Sequence, residues 1–418
     1  MKDSQSHFVF INQYYPPDLA PTGVMLRDVA EEMVARGIHV TILCSKGGYS
    51  GKRAGGQDIG SSGKVEVVRV PTFRFGRQTL IGKVCDYASF YLFALLYALA
   101  VKGKPTCYVA LTTPPYLGLL ARLVSKFRGA RHAHWVMDLY PDMMVADGIL
   151  REGNLLCRCF RWVTTQGFGG NRCAGVLTLG PDMIDLTARY LKDNVKREWI
   201  PLWSGAESQD SDSEDQNAID EWRAGLGWQK DELIYMYSGN MGRGHRFSEF
   251  LNAIKSFCGS EKKVRFVFCG GGAKRVEIES FISEYESLAV EMMEYVTAEN
   301  LPLHLASADV HLASMEPHWR GTMVPSKIQG ILSSGRPLVY VGALNSTIGR
   351  WVVEANSGWV VEPDDHTAMG KALAESMDYN LRRKKGGFGY QFYKRNFQRD
   401  LNSKRVADFF LVDTTKKN

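Results

Sequence analysis

No CxxC pair occurs in this chain, and its eight cysteines, at 44, 85, 107, 157, 159, 173, 258 and 269, stand apart from any matching histidine spacing. That scatter offers neither a zinc site nor a disulfide framework, and it fits a reducing cytoplasm. No clean GxGxxG fingerprint follows an apolar run, which argues against a nicotinamide dinucleotide enzyme. The opening MKDSQSHFVFINQYYPP is too polar, and its apolar part too short, to read as a signal peptide. The longest apolar run, residues 89–101, falls short of the roughly 20 residues that a spanning helix needs. Arg77 and Lys83 precede it and Lys102 and Lys104 follow it. Two readings of it stay open, a buried core helix or a helix lying in a membrane interface through residues 77–104. Charge is only mildly unbalanced, at +6 with a pI near 8.7. This favours an anionic substrate or membrane surface and does not imply nucleic acid.

What is present is a repeating α/β grammar. At 418 residues the chain exceeds what one hydrophobic core sustains, so two domains are expected. An apolar run at 7–11 leads into a proline-rich turn at 12–23, an amphipathic helix at 24–36 and a second strand at 39–44. Strand, loop, helix and strand at this spacing form a βαβ unit and predict a parallel, doubly wound sheet, whose ligands sit beyond the strand C-termini. Further strands are expected at 65–70, 108–113, 174–179 and 198–201, and one from 132 that runs out at Asp138 and Asp142. Helices are expected at 86–101, 117–127 and 181–191. The glycine-rich stretch 46–63 reads equally as a flap over a substrate or as a solvated connection.

Residues 204–222 are polar and acidic without apolar periodicity, as in a linker or surface loop. Asp210-Ser-Asp212 within them matches a DxD metal pattern, but runs of serine and acid are usually solvated, and no metal is expected. The grammar then restarts, with strands at 232–237, 264–269, 309–313 and 338–341 and helices at 247–257 and 274–286. The architecture predicted is α/β, two Rossmann-like doubly wound domains facing across a cleft, at 1–203 and 223–385. The remainder, 386–418, carries aromatics at 388, 390, 392, 393, 397, 409 and 410 and is expected to pack on the first domain as a helical segment.

Two places in the second half suit a phosphate. Gly239-Asn-Met-Gly-Arg-Gly-His-Arg246 lies between a strand and a helix, where successive amides can cradle a diphosphate and Arg243, His245 and Arg246 can neutralise it. Val324-Pro-Ser-Lys327 opens a second helix, with Pro325 suited to the first turn, Ser326 as a cap, Gly335 as a stop, and Arg320 and Lys327 close by. Two such helix starts in one domain point to a nucleoside diphosphate. Gly270-Gly-Gly272 is a third glycine turn, open to a base, to a ribose or to no ligand at all.

Taken together, Asn12-Gln-Tyr-Tyr-Pro-Pro17 with Gly23, Thr113-Pro-Pro115, Trp135-Val-Met-Asp-Leu-Tyr-Pro141, Ser238-Gly-Asn-Met-Gly242, Cys269-Gly-Gly-Gly272, Val324-Pro-Ser-Lys327 and Ser334-Gly-Arg-Pro337 resemble the GT-B fold glycosyltransferases of family four. The resemblance spans almost the whole chain and is strongest to the branch that assembles bacterial O-antigen, capsule and exopolysaccharide. It implies a retaining transferase that moves a hexosyl or N-acetylhexosaminyl group from a UDP-linked donor to a glycan or polyprenyl-linked acceptor. It implies no cofactor or metal, and a cytoplasmic location, peripheral on the inner membrane face.

On that basis Asp138 and Glu316 are the expected catalytic residues. Gly239, Asn240, Gly242, Arg243, His245, Arg246, Gly271, Arg320, Thr322, Val324, Ser326 and Lys327 are expected at the donor, and Tyr15, Gly23 and Thr113 at the acceptor. Where many members carry two glutamates, this chain has Thr322 and Gly330, so ribose binding is expected through backbone amides at 322–324. Met137 stands where a histidine is frequent, and Asn240 and His245 stand where an arginine and a lysine grip the diphosphate. The missing glutamates keep a silent nucleotide- or glycan-binding partner open as an alternative, and a nucleotide-sugar epimerase would share the same two-domain frame.

Overall fold

The computed structural model describes residues 6–18, 20–46, 65–73, 75, 80–192, 194–203, 216–257 and 263–412. The glycine-rich stretch from 47 onward, Arg77, Cys258 and the Asp210-Ser-Asp212 pattern lie outside the described residues. The chain divides into two compact units, one of residues 1–201, 321–323 and 399–418, the other of 202–320 and 324–398.

The first unit holds seven strands: β1 (His7–Ile11), β2 (His39–Ser45), β3 (Val65–Val70), β4 (Cys107–Ala110), β5 (Arg131–Trp135), β6 (Cys173–Thr178) and β7 (Arg197–Trp199). All pair in parallel, in the order β3-β2-β1-β4-β5-β6-β7. Every residue of β1 is buried, as expected of a strand covered on both faces. Helix Leu117–Arg128 ends at Gly129 in the left-handed region, and Arg128 donates to the carbonyls of Leu99, Val101 and Gly103. The first of these is a carbonyl that the end of helix Leu80–Ala100 leaves without an intrahelical partner, and the other two lie just beyond it.

In the second unit six strands pair in parallel as β10-β9-β8-β11-β12-β13. They are β8 (Leu233–Ser238), β9 (Val264–Cys269), β10 (Val290–Met293), β11 (Val310–Ser314), β12 (Leu338–Val341) and β13 (Gly358–Val361). In both sheets the strand order reverses direction once, between β1 and β4 and between β8 and β11. That reversal is where ligands of doubly wound sheets bind.

Three expectations about segments need correction. Residues 216–222, expected in the linker, begin the helix Gln216–Gly225, which buries Ile219. The segment 386–418 is not one piece. Helix Tyr379–Asn396 belongs to the second unit, where Phe397 packs on Trp351 at 4.9 Å. Only helix Arg399–Val412 joins the first unit, through Arg399 to Asp28 at 2.8 Å and Phe410 edge-on to Phe10 at 5.9 Å. The third concerns the helix after Val324, which runs Lys327–Ser333 and receives no capping bond from the Ser326 side chain.

Candidate functional site

In the second unit the loops after β8, β9 and β11 are bonded into one floor. Gly239 N–H donates to the Cys269 carbonyl at 2.9 Å and Met241 N–H to that of Gly271 at 2.7 Å, so the β8–β9 ladder continues into both glycine turns. Glu316 N–H donates to Gly244 O at 2.8 Å, and Arg246 N–H to Ser314 Oγ at 3.0 Å, which ties in the β11 loop. Gly239 and Gly270 have φ of +132° and +127°, and a Cβ on Gly270 would stand 2.4 Å from the Gly239 carbonyl oxygen. Only glycine fits there, because the two turns touch through their backbones.

Lys327 crosses this floor. Its Nζ donates to Tyr237 Oη and, at 3.2 Å, to the Asn240 carbonyl, and lies 3.8 Å from the centroid of the Tyr237 ring. Burial of this ammonium pulls its pKa well below the usual lysine value. The charges beside it are spent differently. Arg246 pairs with Glu249 and, at 3.3 and 2.9 Å, with Glu316 and Asp364. Lys274 donates to the His245 carbonyl and meets Glu316 at 3.2 Å. Buried His245 bonds through Nδ1 to the Ser314 carbonyl at 2.6 Å. Burial, and then the neighbouring Lys327 charge, lower its pKa to about 3.

In the first unit the loops after β1 and β4 meet at the strand reversal, where Gln13 N–H donates to the Thr113 carbonyl at 2.8 Å. A Cβ on Gly23 would stand 3.0 Å from the Tyr14 carbonyl oxygen, so the helix Pro21–Ala35 starts hard against the Tyr14–Tyr15 backbone. Tyr15 is buried. The loop after β5 carries Asp138, which lines a small pocket with Thr112, Tyr116, His134, Tyr140 and Thr164. Burial raises the Asp138 pKa to about 6. Residues 321–323 belong to this unit: Leu139 N–H donates to the Thr322 carbonyl at 2.8 Å, and Asp138 and Met323 form an antiparallel bridge. Among the described residues His132, His134 and Cys173 bring possible metal-ligand atoms within 4.8 Å, but both nitrogens of His132 already bond, to Ser125 Oγ and to the Gly169 carbonyl.

A family model described as a glycosyl transferase 4-like domain matches residues 22–203, and a second, glycosyl transferases group 1, matches 232–378. The chain belongs to glycosyltransferase family 4. Among curated proteins the transferase is similar to the probable glycosyltransferase WbjE of Pseudomonas aeruginosa, 23% identical over 71% of this chain and 72% of that one. It is also similar to the putative colanic acid biosynthesis glycosyl transferase WcaI of Escherichia coli K12, at 20% identity over 87% and 90% of the two chains. Its fold matches that of Anabaena HepE, solved with UDP-glucose, with a TM-score of 0.67 at 11% identity, covering 96% of this chain and 98% of that one.

The floor of the second unit brings Gly239, Asn240, Gly242, Gly271 and Lys327 together, and Tyr15, Gly23 and Thr113 gather at the first sheet's reversal. Two expectations change. Burial and the Lys327 charge lower the His245 pKa to about 3, and Arg246 is shared among three carboxylates, so neither is placed to bring net positive charge to a phosphate. The Thr322 carbonyl accepts from Leu139 N–H within the first unit. Val324 and Arg320 are half-buried on either side of it, while Arg243 and Ser326 are exposed. Tyr237, Lys274 and Tyr295 were missed. Tyr237 reads in the sequence as a core residue of a strand, Lys274 as an ordinary helix start, and Tyr295 follows a short strand that gave no signal. Tyr295 donates to the Gly271 carbonyl at 3.4 Å.

Proposed function

We propose that the second unit binds a nucleoside-diphosphate sugar, UDP-linked, and that the transferase passes the sugar with retention to a glycan or polyprenyl-linked acceptor in surface polysaccharide assembly. The observation that carries this is the convergence of two left-handed glycine turns and the Lys327 ammonium at the β8/β11 reversal. A diphosphate there meets backbone N–H groups and the Lys327 ammonium, which among the described residues pairs with no carboxylate. As the sugar leaves, charge grows on the β-phosphate, and these fixed groups stabilise it without a metal ion. Asp138, in the first unit, orients the acceptor hydroxyl. Glu316, held by Lys274 and Arg246, meets the donor sugar's hydroxyls. HepE, solved with UDP-glucose, and WcaI, named for colanic acid, support the donor class and the pathway class. The reading places the enzyme in the cytoplasm, peripheral on the inner membrane face.

Isothermal titration of the purified chain tests the donor half. UDP and a UDP-hexose should bind, and adenosine diphosphate or uridine alone should bind far more weakly. Equal affinity for uridine and UDP would remove the diphosphate from the account.

A further inference from the structure

We propose that three neighbouring helices of the first unit form one docking face for an anionic lipid bilayer. They are Leu80–Ala100, Leu117–Arg128 and Leu155–Phe168, and the middle one packs against both others. On the first, the exposed positions Val84, Ala88, Leu92, Leu96 and Ala100 recur every fourth residue, so one outward line of the helix is wholly apolar. Leu119, Leu123 and Phe127 form the same line on the second, and Leu155, Leu156 and Trp162 are outward on the third. The exposures are large, at 55% for Leu92, 69% for Phe127 and 61% for Trp162. A helix on a solvated surface carries polar residues at such positions. Contiguous apolar surface on this scale marks an interaction site.

Gly118 and Gly167 let the second and third helices approach backbone to backbone, since a Cβ on Gly167 would stand 3.1 Å from Leu119 N. Their outward lines therefore lie side by side. The first helix is long and apolar enough to span a bilayer, over Gly82–Ala100. Yet its inward residues Phe90, Ala94 and Ala98 belong to the unit's own core. It lies along the unit rather than leaving it, and only one side is offered to lipid.

Charge decides the occupant. Within the three helices the exposed bases are Lys83, Lys126 and Arg158, against one acid, Asp86; Arg161 is paired with Glu152 and Asp142, and Arg122 and Arg128 donate to carbonyls of this unit. Exposed Lys102 and Lys104 follow the first helix. A second copy of the chain would oppose like charges, whereas anionic headgroups would pair with them while the leucines and aromatics enter the acyl boundary. Leu119 also lines the pocket that holds Asp138, so a docked bilayer lies about one helix width from that carboxylate. An acceptor carried on a membrane lipid is thereby delivered to the pocket. The proposal deepens the membrane contact of the functional reading by widening it from one segment to three helices.

The test is flotation of the full-length protein with vesicles of phosphatidylcholine alone and of phosphatidylcholine with phosphatidylglycerol. Binding to the anionic vesicles is expected, weakening with added salt. The double substitution Leu92→Glu with Phe127→Glu should reduce it by on the order of tenfold or more, with an unchanged circular dichroism spectrum. If that variant does not fold, Lys126→Gln with Arg158→Gln replaces it and should lower the preference for anionic vesicles. UDP titration on the same samples keeps the transferase reading separate, because donor affinity should be the same for wild type and variants. Absence of flotation with anionic vesicles overturns the proposal, as does flotation untouched by either pair of substitutions. So does a lipid-free dimer in sedimentation velocity that the Leu92→Glu, Phe127→Glu pair abolishes, which would make the face a self-association surface.

Discussion

Lys327 and Tyr237 form a single unit: the ammonium stands 3.8 Å from the ring centroid and also donates to the phenol oxygen. The lysine comes from the helix after β11 and the tyrosine from the end of β8, so this pair joins the two strands at which the second sheet reverses. Among the described residues no carboxylate pairs with the lysine, and the tyrosine stays neutral. Burial raises the tyrosine's pKa well above its ordinary value.

Replacing Lys327 with methionine keeps much of the stem and removes the charge. UDP affinity should fall by about 1.5–3 kcal/mol, roughly 10- to 150-fold, the usual value of a charged hydrogen bond. Calorimetry in buffers of different ionisation enthalpy should add a second sign. A bound diphosphate raises the depressed lysine pKa, so UDP binding should take up protons in alkaline solution, and the Lys327→Met variant should lose that uptake.

Arg246 should behave oppositely. Glu249 is almost wholly buried, and although its desolvation favours the neutral acid, the Arg246 bond and the Asp364 N–H hold its pKa below the usual glutamate value. A depressed carboxylate contributes stability that is present above its unfolded pKa and is lost as pH falls through the folded value. Arg246→Met strands that charge and should cost about 3 kcal/mol or more. Thermal unfolding should report the loss chiefly above pH 5, and UDP affinity per folded molecule should change less than in the lysine variant.

The pH profile bears on Asp138. With a folded pKa of about 6, its carboxylate is half protonated at that pH and neutral below it. If it orients the acceptor as an anion, kcat/KM should fall on acidification through about pH 6. Asp138→Asn should lower kcat/KM and flatten that limb while leaving UDP binding intact.

Gly270→Ala should disturb both glycine turns at once. The new Cβ would stand 2.4 Å from the Gly239 carbonyl oxygen at a φ of +127°. A cost of about 1–3 kcal/mol is expected for a strained residue of this kind, seen as a lower melting temperature together with weaker UDP binding.

Much of this was legible in the sequence, for physical reasons that also explain the gaps. Strands β1, β2, β8 and β9 are largely apolar runs closed by polar or glycine turns, interrupted only by Thr41 in β2 and Arg265 in β9, and that punctuation is local. Strand β10, Val-Glu-Met-Met at a sheet edge, is half-buried and short, so nothing distinguishes it from a loop. Helix Leu155–Phe168 escaped because Leu155, Leu156 and Trp162 are exposed alongside Arg158 and Thr165, which blurs the two-faced pattern by which a surface helix is read. The glycine turns and Lys327 were visible because backbone geometry and helix starts leave sequence marks. That His245 is buried and neutral, and that Arg246 is shared among Glu249, Glu316 and Asp364, depends on residues up to 118 positions away. No local pattern encodes such pairings.

The central claim is most directly tested by incubating the purified enzyme with radiolabelled nucleotide sugars, with and without a polyprenyl-diphosphate-linked saccharide. The account predicts label in the lipid fraction from a UDP-sugar, dependent on the acceptor, with the anomeric configuration of the donor kept. Tight UDP binding without transfer from any donor to any such acceptor would contradict it.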